Sequence, residues 1–332
     1  MAEEWIPDIL GGPFEQLTLP LGEDDEGPVV ATLVRSIRNP LLSLFSPLRD
    51  VDVLAVHGWS DYFFQTELAE FWNGLGARFY ALDLRKYGRS MRAGQTPGYV
   101  ARLDEYDEDI EAALDAMGHG AGWSRGARRL VLLGHSTGGL TLSLWAARHA
   151  GRAAAVVLNS PWLELQLGSV ARQAIAPLVD LRARIDPLGQ HPAVDLGFYT
   201  RAQTEVGVLP APAYRTDWRP PRGFPTHPGW LAAVLEGHRR IAAGVDVGAP
   251  TLVLLSARST PPLSWSEDMT SSDSVLVVDD IAKSATKLGR LVTIARIEGA
   301  IHDVFLSRPG PRAEAYAVLR RWVTGCLASR HP

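Results

Sequence analysis

The sequence predicts an α/β protein: a mostly parallel, twisted sheet with helices on both faces and an inserted cap. Three observations carry that expectation. From residue 51 onward, short apolar β-branched runs alternate with helical patterns, the arrangement that builds parallel sheets. One run, Leu130-Val131-Leu132-Leu133, leads directly into Gly134-His135-Ser136-Thr137-Gly138 and a helix-forming stretch. The rhythm fails over 161–245, where Pro210, Pro212, Pro220, Pro221, Pro225 and Pro228 cluster without a strand pattern.

Taken in order, residues 1–14 read as an irregular arm. Residues 15–20 and 29–36 read as a hairpin around an acidic turn from Gly22 to Gly27. Residues 51–57 are apolar and β-branched, as in a strand covered on both faces. A helix is expected at 64–75, a strand at 78–83, and a helix at 104–117 whose first turn is crowded with Asp and Glu. A strand at 129–134, a helix at 137–149 and a strand at 154–159 follow. Helical pieces near 169–184 and 229–243 fall in the insertion, and strands at 250–256 and 291–297 flank a helix at 280–288. A helix at about 311–327 closes the series. The expected division is a core of 1–160 and 246–332 with a cap, or lid, at 161–245.

Bulk properties narrow the function. A chain of 332 residues can bury one large core, and 46% hydrophobic with 21% charged residues is ordinary globular composition. The net charge of −4, without a basic stripe, argues against a nucleic-acid partner. The single cysteine, Cys326, excludes an internal disulfide and disfavours a Cys-ligated metal. The first residues, MAEEWIPDIL, lack a basic n-region and an apolar h-region, and no run of about 18 apolar residues occurs. A cytoplasmic protein without stable membrane insertion, monomeric or homodimeric, is expected.

The chemistry centres on Ser136. A serine hydroxyl is a weak nucleophile until a base reaches it, and a sharp strand-to-helix turn lifts Oγ clear of the sheet edge. Gly134 and Gly138 keep side chains from colliding across such a turn. The motif alone is weak, since Gly122-Trp123-Ser124-Arg125-Gly126 matches it too; Ser124, however, lies in a polar loop with no strand leading in. His57-Gly58-Trp59-Ser60-Asp61 directly follows a strand, where a parallel sheet binds ligands. The amides of Trp59 and Thr137 could there form a two-donor oxyanion hole, with His57, Gly58 and His135 beside the substrate.

The base is expected late in the chain. His302 lies just past the strand at 291–297, whereas His149 is on a receding helix, His191, His227 and His238 are in the insertion and His331 is in the tail. The acid belongs after the strand at 250–256. Glu267, Asp268, Asp273, Asp279 and Asp280 are candidates, and Asp273, before Val275 and Leu276, is preferred. Asp279 and Asp280 read as the N-cap and first turn of the helix at 280–288. Of the tryptophans in loops and insertion, Trp162 and Trp265 are the expected pocket residues, and Trp218 and Trp230 the expected packing residues.

Together these pieces resemble the α/β-hydrolase superfamily, nearest the monoacylglycerol lipase, lysophospholipase and esterase branch. The likeness rests on HGWSD at 57–61, DLRKYGRS at 83–90, GHSTGG at 134–139, NSPWL at 159–163 and IHD at 301–303. It implies Ser136 as nucleophile, His302 as base, Asp273 as acid and the Trp59 and Thr137 amides as oxyanion donors. The family's short Gly-x-x-Asp turn before the acid is stretched here by Pro261-Pro262-Leu263-Ser264-Trp265. The implied activity is hydrolysis of a small-molecule carboxylic ester through an acyl-enzyme, without metal or organic cofactor. The alternatives are an aminopeptidase or amidase on the same triad, with Glu164, Glu205 or Glu236 anchoring an amine, and a catalytically silent binding protein.

Overall fold

The computed structural model describes residues 4–37, 46–120, 128–166, 169–189, 196–210 and 214–328, with backbone alone over 169–175. Its strands are β1 (Ile6–Pro7), β2 (Phe14–Asp24), β3 (Gly27–Ser36), β4 (Val51–Val56), β5 (Arg78–Asp83), β6 (Arg129–His135), β7 (Ala155–Asn159), β8 (Thr251–Ser256) and β9 (Val292–Ile297). Its α-helices are α1 (Thr66–Gly74), α2 (Tyr106–Met117), α3 (Thr137–Arg148), α4 (Ser169–Ile185), α5 (Phe198–Val206), α6 (Pro228–Ala243), α7 (Val278–Ala285) and α8 (Pro309–Ala328).

One sheet contains all of these strands in the order β1-β2-β3-β5-β4-β6-β7-β8-β9. The first three are antiparallel and β3 joins β5 antiparallel; from β5 to β9 every pairing is parallel. The α/β expectation therefore holds. Alternate residues of the central strands feed two cores, one on each face. Leu54, Leu132, Leu158 and Val253 pack with Ile110 of α2, Leu140 of α3 and Val234 of α6. Val53, Val131, Val157 and Leu252 pack with Trp72 of α1 and Leu319 of α8. Burial on both faces is why these strands read as continuous apolar runs. At the edge, β9 is mostly half-buried, with Thr293 and Arg296 exposed and Ile297 buried.

The chain leaves β4 for β5 on one side and later for β6 on the other, which opens a crevice beyond their carboxyl ends. The segment between β7 and β8 holds α4, α5 and α6. It does not lie apart from the core: Phe224, Trp230 and Ile241 share the hydrophobic cluster of the sheet face that carries α3.

Three details depart from expectation. The N-terminal arm contains β1, pairing Ile6 with Gln16. Helix α5, bracketed by Gly197 and Gly207 at φ +79° and +76°, was not foreseen because its fully buried residues, Ala202 and Gln203, are adjacent and form no helical stripe. Helix α7 starts at Val278 with Val277 at the N-cap, so Asp279 is not the cap. Asp279 and Asp280 occupy the first turn, where carboxylates complement the exposed amides. The second serine motif, Ser124 included, and His191 and His331 lie outside the described residues.

Candidate active site

Ser136 joins β6 to α3 with φ +51° and ψ −117°. A side chain in this conformation costs about 1–3 kcal/mol and needs surroundings that enforce it. Ser136 N donates to Asn159 O (3.0 Å), while Ser136 O accepts from Gly139 N (3.0 Å) and Trp162 N (2.9 Å). A Cβ on Gly138 would stand 2.3 Å from His57 O, and one on Gly134 2.6 Å from Gly139 Cα. Only glycine fits at either place. Gly58 abuts the same turn, since an added Cβ there would lie 3.0 Å from Ser136 Cβ. Among the described residues, no acceptor takes the amide N–H of Trp59 or Thr137.

His302 follows β9, and its Nδ1 lies 2.9 Å from Asp273 Oδ2 with both side chains buried. An ionised carboxylate only accepts, so Nδ1 carries the proton and Nε2 holds the lone pair of the neutral ring. The other oxygen, Asp273 Oδ1, accepts from the amides of Val275 (2.7 Å) and Leu276 (2.8 Å). The ring of His302 stands 5.0 Å from that of His135, the neighbour of Ser136, and meets Tyr199 edge-on at 5.4 Å.

The stretched turn still returns Asp273 to the sheet edge. Ser259 and Asp273 form a parallel bridge, with Asp273 N donating to Arg258 O (3.0 Å) and Thr260 N to Asp273 O (2.9 Å). The intervening residues loop out and back, so a long insertion leaves the position of Asp273 intact. The other acids point elsewhere. Glu267 and Asp268 are exposed on a short 3-10 turn, and Asp279 pairs with Arg296 at the surface (2.6 Å).

The expected substrate residues divide. His57 has both ring nitrogens engaged by backbone: Nδ1 donates to Gly58 O (2.7 Å) and Nε2 accepts from Leu84 N (3.1 Å). It shapes the turn and keeps no ring nitrogen for a ligand; burial pushes its pKa down, with Asp83 pulling back. His135 donates from Nδ1 to Asn159 O (3.1 Å), and burial likewise lowers its pKa against the pull of Asp303. Trp162 lies next to Ser136 through its backbone, and its ring is edge-on to His238 at 5.2 Å. Trp265 packs on α5, 6.1 Å from Phe198 and under the guanidinium of Arg201 (3.9 Å). Trp230 is fully buried and lies 3.6 Å from Trp59 between ring centres; Trp218 sits half-buried on Tyr62.

A family model described as serine aminopeptidase, S33, matches residues 49–260. The chain belongs to this family. Lysophospholipase L2 of Escherichia coli K12 is 28% identical over 197 residues, covering 54% of this chain and 55% of that protein. The chain thus spans about half the length of the curated relatives it matches. Among solved structures, the monoacylglycerol lipase of Paleococcus ferrophilus aligns at TM-score 0.60 and 20% identity, over 85% of this chain and 96% of that one. A soluble variant of the Saccharomyces cerevisiae monoglyceride lipase also aligns at 0.60, with 12% identity over 98% and 97% of the two chains. The fold is that of the α/β-hydrolases.

This S33 chain also gathers residues that its sequence did not single out. Asn159 Nδ2 donates to Asp303 Oδ1 (2.6 Å) and Asn159 Oδ1 accepts from Val304 N (3.1 Å), tying the end of β7 to the His302 loop. Gln65 Nε2 reaches Asp303 Oδ2 (3.3 Å). A cavity of about 30 Å³ is bordered by His135, Asn159, Gln65 and Asp303. Asp61 and Arg219 form a buried ion pair at 2.9 Å. Burial raises the Asp61 pKa against the pull of Arg219, while Asp61 and nearby tyrosines outweigh burial and keep Arg219 protonated. Asp303 and Asn159 stood inside quoted motifs, so adjacency to His302 and Ser136 could have flagged them; Arg219 left no pattern at all. Among the described residues, no group of three or more His, Cys, Asp or Glu is placed to hold a metal, and no helix is long and apolar enough to cross a membrane.

Proposed function

We propose that this chain is a serine hydrolase that cleaves small-molecule carboxylic esters by two-step acyl transfer. Ser136 attacks the carbonyl and His302 Nε2 takes its proton. Asp273 holds the tautomer and stabilises the imidazolium, and the amides of Trp59 and Thr137 receive the oxyanion. Water, activated by the same ring, then releases the acid. The observation that carries this reading is the His302–Asp273 hydrogen bond of 2.9 Å on a loop packed against the strained Ser136 turn. Residues 161–245 act as the cap that selects the acyl chain, with Trp162 and Trp265 as pocket candidates. Ester specificity is favoured by the lysophospholipase and lipase relatives.

The family description keeps an aminopeptidase reading in view. Two of its amine anchors are already engaged at the surface, Glu205 with Arg201 (2.8 Å) and Glu236 with Arg239 (2.8 Å). The deciding experiment sets p-nitrophenyl esters of graded chain length and aminoacyl amides before wild type and Ser136→Ala. Ester turnover that falls at least about 10⁴-fold in the variant is expected. Unchanged turnover would falsify the proposal, and amide turnover exceeding ester turnover would favour the peptidase.

A further inference from the structure

The turn that carries Trp59 is gripped along its length by the segment between β7 and β8. Trp59 packs against Trp230 with ring centres 3.6 Å apart and planes tilted by 35°, and it meets Phe224 edge-on. Ser60, strained at φ +50°, accepts at Oγ from Phe224 N (3.0 Å). Asp61 faces Arg219 (2.9 Å), and Tyr62 Oη accepts from Arg215 N (2.6 Å). Four consecutive residues of the turn therefore depend on one distant stretch of chain.

Arg219 also faces the opposite way. Its Nη2 donates to Gln203 Oε1 (2.7 Å) and its Nη1 to Tyr214 Oη (3.2 Å). Gln203 Nε2 donates to Tyr199 Oη (2.9 Å), one helical turn back on α5. Tyr199 Oη accepts from Asp303 N (3.1 Å), and the Tyr199 ring lies against His302. The guanidinium is thus the one group of this network that touches Asp61 on one side and, through Gln203 and Tyr199, the His302 loop on the other.

Asp61, Gln203 and Arg219 are all at least nine-tenths buried. Asp61 Oδ1 and Arg219 Nε approach without hydrogen-bond alignment, so the pair is a charge contact. Buried ion pairs stabilise folds poorly compared with apolar packing. Phe64, Tyr199 and Tyr214 already surround the guanidinium at 5.7–5.9 Å, so an apolar side chain could fill the same space. What an apolar residue could not do is orient two loops at once.

We propose that Arg219 is a positioning residue that sets the oxyanion turn and the His302 loop in mutual register. The proposal rests on the serine-hydrolase reading above. It separates Arg219 from the substrate: the guanidinium acts through Asp61 and Tyr199, so its loss should slow chemistry and spare binding.

The test compares wild type, Arg219→Met, Arg219→Lys and Asp61→Asn. Each is assayed for kcat and KM on one p-nitrophenyl ester, for the rate of Ser136 labelling by an aryl fluorophosphonate, and for Tm. Arg219→Met should lower kcat and the labelling rate about 10²-fold with KM within about threefold, the scale of a small misplacement in a catalytic site. Arg219→Lys, which retains the charge, should recover about tenfold of that. Asp61→Asn, nearly isosteric, decides the matter if Arg219→Met does not fold, and should lower kcat about tenfold at unchanged KM. A folded variant with wild-type kcat and labelling rate overturns the proposal, as does a rise in KM alone, which would mean contact with substrate. Wild type that resists the fluorophosphonate defeats the serine-hydrolase reading instead, so the two failures are distinguishable.

Discussion

The two ends of the parallel sheet both bury charge, and they organise it differently. At the amino end, Asp52 of β4 accepts from Arg78, from Arg128 (2.6 Å) and from His119 (2.9 Å). Arg128 also donates to the carbonyls of Arg49 (2.6 Å) and Val51 (2.7 Å). Burial disfavours the Asp52 carboxylate, yet these donors outweigh it and hold its pKa at about 2. The carboxyl end also has a bonded buried pair, Asp83 accepting from Arg89 Nη1 (2.8 Å), and it adds backbone strain. Among the described residues, those other than glycine with positive φ are Ser60, Lys86, Ser136 and Ser160, at +50°, +63°, +51° and +44°. They follow β4, β5, β6 and β7 in turn. The same end holds the misaligned Asp61–Arg219 pair. Both ends use buried polar groups to fasten segments together. Of the two, only the carboxyl end keeps these non-glycine residues at positive φ, at the edge where a parallel sheet binds ligands.

The largest expected effect tests the carboxyl end. Asp273→Asn should lower kcat on an aryl ester by about 10⁴-fold, because the amide no longer selects the tautomer that His302 needs. Asp279→Asn, on an exposed carboxylate, should leave kcat unchanged. The reverse pattern would break the assignment of the acid to the bridged position beside β8.

The amino end should answer in stability and not in turnover. Asp52→Asn is expected to destabilise the fold by about 3 kcal/mol in urea unfolding, the lower part of the range for a broken buried pair because Arg78 and Arg128 are partly exposed. The kcat per folded molecule should not move. The pH dependence follows from the sign of the shift. With a folded pKa of about 2 against an ordinary 3.8, the unfolded chain binds the proton more readily between those values. The stabilisation is complete above about pH 4 and disappears as pH falls through 2, a change of about 2 kcal/mol. The gap between wild type and Asp52→Asn should narrow over that window; a constant gap would show that charge is not what Asp52 contributes.

The smallest effect calibrates the other two. Arg296→Ala removes an exposed ion pair with Asp279 (2.6 Å) and should change stability by less than about 0.5 kcal/mol. A larger loss would show that ion pairs matter here wherever they lie, and the contrast between the two ends would weaken.

Much of the fold was legible because its signals are local. The strands at 51–57, 78–83 and 129–134 fall within a residue of β4, β5 and β6, since doubly covered strands must be apolar throughout. The Ser136 turn was legible for a related reason: Gly134 and Gly138 stand where no Cβ fits. Asp273 was harder. Only the bridge to Ser259 explains how a loop lengthened by Pro261 and Trp265 returns a carboxylate to the sheet edge. Helix α5 and Arg219 left no usable pattern, because their partners lie far away in the chain: Arg219 meets Asp61, and Tyr199 meets Asp303.

The sequence by itself determined the layered α/β architecture, the strained serine turn and the position of a late histidine. Each of these depends on side-chain period or on steric demands within a few residues. Only the tertiary structure decided which carboxylate stands behind His302, that both nitrogens of His57 serve the backbone, and that the insertion reaches back to hold the turn at 59–62. Those outcomes depend on the directions of individual polar atoms on segments from 27 to 164 residues apart, and no local periodicity encodes them.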